Sequence, residues 1–107
     1  MLEFNTSHFS YKGPNRYDIT YKANSIFSPT KQIVYGYKYH NMSQEEYTKK
    51  YYELMRQSYI NNFDEWQNTL NQEHLVFVCY CKETNFCHRF LLKDILIKLN
   101  AEYLGEI

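Results

Sequence analysis

The sequence predicts one small α/β domain over residues 1–107, with a mostly parallel sheet of three or four strands flanked by helices. Three observations predict it. Short runs of β-branched and aromatic residues, such as Leu75-Val76-Phe77-Val78, alternate with longer stretches whose apolar residues recur at helical spacing. Strands separated by helices pair in parallel and need cover on both faces of their sheet. A chain of 107 residues supplies one core, and no repeat, low-complexity tract or linker divides it.

Taken in order, residues 2–6 read as a first strand, followed by a loop broken at Gly13-Pro14. Residues 16–21 hold a second short strand around Tyr17-Asp18-Ile19-Thr20, and residues 22–25 are a polar connection. Ser28-Pro29-Thr30 is a helix start, with Ser28 accepting free amide protons and Pro29 at the first helical position. Ile33, Val34 and Tyr37 then form an apolar helical face, although the same residues have strand propensity. Ser43 with Glu46 is a capping box that opens the clearest helix, with Tyr47, Tyr51, Leu54, Met55 and Tyr59 on one face. Asn61-Asn62 ends it, and a further helix begins near Asp64 with Trp66 and Leu70 inward. After the strand at residues 75–78 comes a last helix carrying Phe90, Leu91, Ile95, Leu96 and Leu99. Asn100 caps its end, and residues 101–107 form a terminal strand or tail.

Composition excludes several functions. Net charge is zero, so no general electrostatic grip on nucleic acid is expected. No apolar run approaches the roughly 20 residues of a membrane helix, and no membrane partner is expected. Met1-Leu2-Glu3-Phe4-Asn5 does not resemble a signal peptide, which points to the cytoplasm. Three cysteines, an odd number, argue against a disulfide framework there. The 12 Tyr and 7 Phe either build a small core from large rings or line a pocket or self-association face.

All three cysteines lie in one segment, Cys79-Tyr80-Cys81 through Phe86-Cys87-His88-Arg89, where a strand runs through a polar loop into a helix. Ligands of open α/β sheets collect beyond the carboxyl ends of the strands. The first amides of the helix and its dipole suit an anion there. Arg89 offers two parallel donors to a phosphate or carboxylate, or pairs with a carboxylate such as Glu83 or Glu106. The same field favours the Cys87 thiolate, and His88 serves as acid or base. Cys79 reads as a small core residue, whereas Cys81, Cys87 and His88 are the catalytic candidates. A phosphatase loop needs five residues between its cysteine and its arginine, and seven separate Cys81 from Arg89. A redox pair would have to close Cys81 on Cys87 across the loop, at an unusual spacing. Cys79, Cys81, Cys87 and His88 are zinc-type residues, but neighbours on a helix start rarely aim at one ion, so no metal and no cofactor is expected.

These residues carry a resemblance. Cys79-Tyr80-Cys81 and Phe86-Cys87-His88-Arg89 followed by Leu91-Leu92 resemble the domain of unknown function 488 family, especially its short phage-borne members. The likeness extends through Arg16-Tyr17-Asp18-Ile19-Thr20, Phe27-Ser28-Pro29-Thr30, Trp66 and Tyr103-Leu104-Gly105-Glu106. It implies a small α/β domain and supplies no catalytic residues. Its phage members imply a role in countering host defence, exerted in the host cytoplasm.

The leading expectation is a site for a small, anionic, nucleotide-like ligand. Arg89 and Asn85 would hold its phosphate, with Thr6, Ser7, Asp18, Thr20 and Lys22 on the same rim. Two alternatives stand beside it: a cysteine-dependent enzyme acting on such a ligand, and a tyrosine-rich interaction module, homodimeric or blocking a host protein.

Overall fold

A computed structural model describes residues 1–80 and 86–107. Among these residues four strands form one sheet: β1 (Glu3–His8), β2 (Arg16–Asp18), β3 (His74–Cys79) and β4 (Glu102–Glu106). Their order is β2-β3-β1-β4, and all three pairings are parallel. The helices are α1 (Lys31–Tyr39), α2 (Gln44–Asn61), α3 (Phe63–Leu70) and α4 (His88–Lys98), with a 3-10 turn at Tyr21–Ala23. None of the helices is long and apolar enough to cross a membrane among the described residues.

The pleat sorts the sheet into two different faces. Phe4, Phe77 and Cys79 join Ile33 of α1, Tyr47, Tyr51 and Met55 of α2, Trp66 of α3, and Leu92 and Leu96 of α4 in one core. Phe27 meets Trp66 and Phe77 edge-on at centroid distances of 4.7 and 5.6 Å. The helices thus gather on one face, where the sequence predicts cover on both. The opposite face is covered differently. The loop after β1 crosses β3, bonding Cys79 O through Phe9 N and Val76 N through Asn15 O. Phe9 stacks on Tyr80 at 4.0 Å, which places this loop over buried Val76 and Val78. Asn15, His74, Asn5 and Gly105 O form a hydrogen-bonded row over that face. His74 Nε2 donates to Asn5 Oδ1, and its Nδ1 accepts from Asn15, so one neutral tautomer serves both bonds.

Local chemistry sets the boundaries. β2 stops at Asp18 because Asp18 Oδ1 accepts the Thr20 amide proton and turns the chain. α1 begins later than its sequence signal: Thr30 Oγ1 caps Ile33 N at 3.2 Å. Ser28 instead donates to Thr20 O and accepts from Ser25 N, which takes it out of the capping role. Ser43 caps Glu46 N as its capping box predicts. Asn15, Asn24, Asn41 and Asn100 each take the left-handed conformation at an element end, where asparagine is tolerated. The register of β4 against β1 shifts between Phe4 and Asn5, and Gly105 (φ 110°) meets a backbone demand there that side-chain-bearing residues rarely satisfy.

Candidate functional site

A cavity of about 410 Å³ opens beyond the carboxyl ends of β2 and β3, between α1 and the start of α4. Both its place and its size are those of a small-ligand pocket. Its walls are largely aromatic. Tyr37, Tyr47 and Phe86 meet one another at centroid distances of 5.2 to 5.5 Å. The Tyr21 and Tyr35 hydroxyls lie 3.1 Å apart, and Tyr35 packs edge-on against Tyr39. Lys22 and Lys38, both exposed, bring positive charge to the same lining. Burial raises the Tyr47 hydroxyl far above the usual phenol range, so it remains a neutral donor at physiological pH.

Cys87 and His88 form part of the same wall. Cys87 is the N-cap of α4 and is extended (φ −161°, ψ 148°), whereas His88 is the first helical residue. This change of backbone at one peptide lets adjacent side chains converge, with Cys87 Sγ 3.9 Å from His88 Nδ1. His88 Nε2 lies 2.7 Å from Ile19 O. A carbonyl only accepts, so Nε2 carries the proton and the Nδ1 lone pair faces the sulfur; the tautomer is assigned from this bond. Burial lowers the imidazole pKa to about 4, against the opposing effect of the Ile19 carbonyl, and His88 is neutral at pH 7. Cys87 takes part in a disulfide, and from the end of β3 Cys79 Sγ reaches to 2.6 Å from Cys87 Sγ. The ligating atoms of Cys79, Cys87 and His88 all lie within 4.8 Å of one another, and all three residues are buried. The sequence argument against converging neighbours on a helix start therefore does not hold, because Cys87 precedes the helix.

Arg89 turns inward. It is 1% exposed, and its Nη2 and Nε donate to Glu106 at 2.8 and 3.3 Å while Nη1 donates to Cys79 Sγ at 3.2 Å. Burial disfavours the cation, but the bonds to Glu106 and Cys79 outweigh it, and the guanidinium stays charged. Tyr103 donates to Thr6 Oγ1, which in turn donates to the same Glu106 carboxylate. Ser7 Oγ donates to Ile107 O. Arg89, Thr6 and Ser7, expected to hold a ligand, are thus not among the described residues lining the cavity; they fasten β4 to β1 and α4. Asp18 turns the end of β2 and is also outside the lining. Thr20, Lys22, Cys87 and His88 do line it. Cys81 and Asn85 lie outside the described residues.

The sequence reading left Cys79 in the core and did not single out Lys38, Tyr35 or Tyr39. The aromatic excess was the signal for the tyrosines. Nothing local marks Lys38, which reaches the site only because α1 packs over the end of the sheet.

The family model DUF488-N3a, described as the active DUF488-N3 subclade, matches residues 6–100, and the chain belongs to that family. No curated protein and no solved structure gives a significant match.

Proposed function

For this DUF488-N3a member, we propose that the cavity binds a small phosphate-bearing, nucleotide-like ligand. The observation that supports this reading is the lining itself: a ring of tyrosines beside two exposed lysines in a space of about 410 Å³. An aromatic face stacks on any nucleobase, and such a contact is worth roughly 1–3 kcal/mol. Lys22 and Lys38 meet the phosphate as mobile point charges. The anion grip assigned to Arg89 passes to these lysines, since its guanidinium is engaged with Glu106. In a phage setting the same binding serves to capture a host nucleotide signal, the use that the resemblance to phage members implies.

The test is calorimetry with a panel of mono-, di- and cyclic nucleotides. Tyr35→Ala is expected to weaken the binding of any member that binds by roughly 5- to 150-fold, the equivalent of one stacking contact. Lys22→Ala with Lys38→Ala should flatten the salt dependence of binding. Silence across the panel, or binding indifferent to all three changes, overturns the reading.

A second reading, a cysteine-dependent enzyme acting on that ligand, is favoured by one observation. The unprotonated Nδ1 of a neutral His88 faces Cys87 Sγ at the cavity wall, at 3.9 Å. Once the disulfide in which Cys87 takes part is reduced, His88 accepts the thiol proton as the sulfur attacks, a transient role that an imidazole with a pKa of about 4 fills without holding a standing thiolate. The description of the matching subclade as active agrees with this reading. It predicts that, in the reduced protein, His88→Gln slows alkylation of Cys87 by iodoacetamide at least tenfold at pH 7. An alkylation rate unchanged by His88→Gln removes it.

A further inference from the structure

We propose that, once a thiol reductant has opened the disulfide in which Cys87 takes part, Cys79, Cys87 and His88 form a zinc(II) site whose fourth position opens into the tyrosine-lined cavity. Two sulfurs and an imidazole nitrogen, all within 4.8 Å of one another, come from a strand end and a helix start that the fold holds together. Two cysteines and a histidine with a position left open is a ligand set that zinc accepts in catalytic sites. Thiolate and imidazole ligands also select against magnesium and calcium.

The surroundings fit a metal as well as the ligands do. Metal-bound histidines donate their other ring N–H to a carbonyl or carboxylate. His88 does so through Nε2 to Ile19 O at 2.7 Å, which leaves Nδ1 aimed at the sulfurs. Arg89 Nη1 donates to Cys79 Sγ, the kind of bond that holds a ligating thiolate in place. Charge also balances. The dication offsets two thiolates, His88 is neutral, and Arg89 is matched by Glu106. Loading releases both thiol protons to solvent as the two Zn–S bonds form. With Zn–S bonds of about 2.3 Å, tetrahedral zinc holds its sulfurs about 3.8 Å apart. They stand 2.6 Å apart, so uptake separates them. Cys87, on the extended residue between loop and helix, has the backbone latitude to move.

Cys87 and His88 line the cavity while Cys79 lies behind them, so the open position faces the space a ligand would enter. Zinc there would take the Cys87 thiolate out of a nucleophile's role and give the cavity a Lewis acid and a polarised water. The site does not depend on nucleotide binding, and it is tested without nucleotide.

The experiment is equilibrium dialysis of the chelator-stripped, fully reduced full chain against zinc, with metal and protein both quantified. One zinc per chain, about two protons released per zinc, and a thiolate-to-metal charge-transfer band on cobalt(II) substitution are expected. Cys79→Ser and Cys87→Ser should each lower zinc affinity at least tenfold, while Lys49→Ala, exposed on α2 away from the cavity, leaves it unchanged. The proposal is overturned by any of three results: no retained zinc, zinc retained equally by the Cys79→Ser/Cys87→Ser double variant, or a cobalt spectrum without the thiolate band. The last reads the unmodified protein, so it decides the matter even if a serine variant fails to fold. Nucleotide binding by both zinc-loaded and stripped protein would leave the cavity reading intact whatever the zinc result.

Discussion

Glu106→Gln should cost the protein more than Arg89→Met, although Arg89 is the more deeply buried partner. The Arg89 side chain is 1% exposed and that of Glu106 29%. Losing the carboxylate's charge weakens two charge-assisted bonds to a guanidinium that is almost fully buried. Removing one member of a buried ion pair typically costs about 3–5 kcal/mol, and glutamine retains an acceptor, so a loss of about 3 kcal/mol is expected. Arg89→Met removes the cation and keeps most of its volume. The carboxylate left behind reaches solvent and still accepts from Thr6, so about 1–2 kcal/mol is expected. The double variant Arg89→Met/Glu106→Leu should come back to within about 1 kcal/mol of wild type, because an apolar pair of similar size avoids burying charge. Urea unfolding followed by circular dichroism measures all three. A domain near this size loses about 4–8 °C of Tm per kcal/mol, so Glu106→Gln is a large and unmistakable shift. A costlier Arg89→Met, or a double variant as unstable as the sum of the singles, would refute the view that this pair is a structural clamp whose burden is the buried guanidinium.

Acid should destabilise the metal-free protein through His88. Its folded pKa, about 4, lies below the ordinary 6.5, so the unfolded chain binds the proton first as pH falls. The contribution is intact above pH 6.5 and is lost between 6.5 and 4, by about 3 kcal/mol in full. Urea midpoints measured in chelator from pH 7.5 to 4.5 should fall less steeply for His88→Gln than for wild type, and equal slopes would contradict the assignment. Ser43→Ala removes the cap on Glu46 N and should cost about 1 kcal/mol by the same unfolding assay. A loss below a few tenths would mean that water replaces the cap without penalty.

Much of this protein is set by local pattern. The α/β class, the segment holding Cys79, Cys87, His88 and Arg89, and the Ser43 cap all follow from spacing and side-chain type, because those features act over a few residues. The location of the site beyond the strand ends follows too, since parallel strands put their carboxyl ends at one edge. What Thr6, Ser7 and Arg89 do there does not follow, because their partners Glu106, Tyr103 and Ile107 lie at the far end of the chain and meet them only once β4 pairs with β1. Tertiary structure alone decided that Cys79 stands beside Cys87, and that Tyr35, Tyr39 and Lys38 of α1 wall the cavity. The reason is distance along the chain: a strand end, a helix start and a helix some fifty residues upstream become neighbours only through packing, which no local sequence signal encodes.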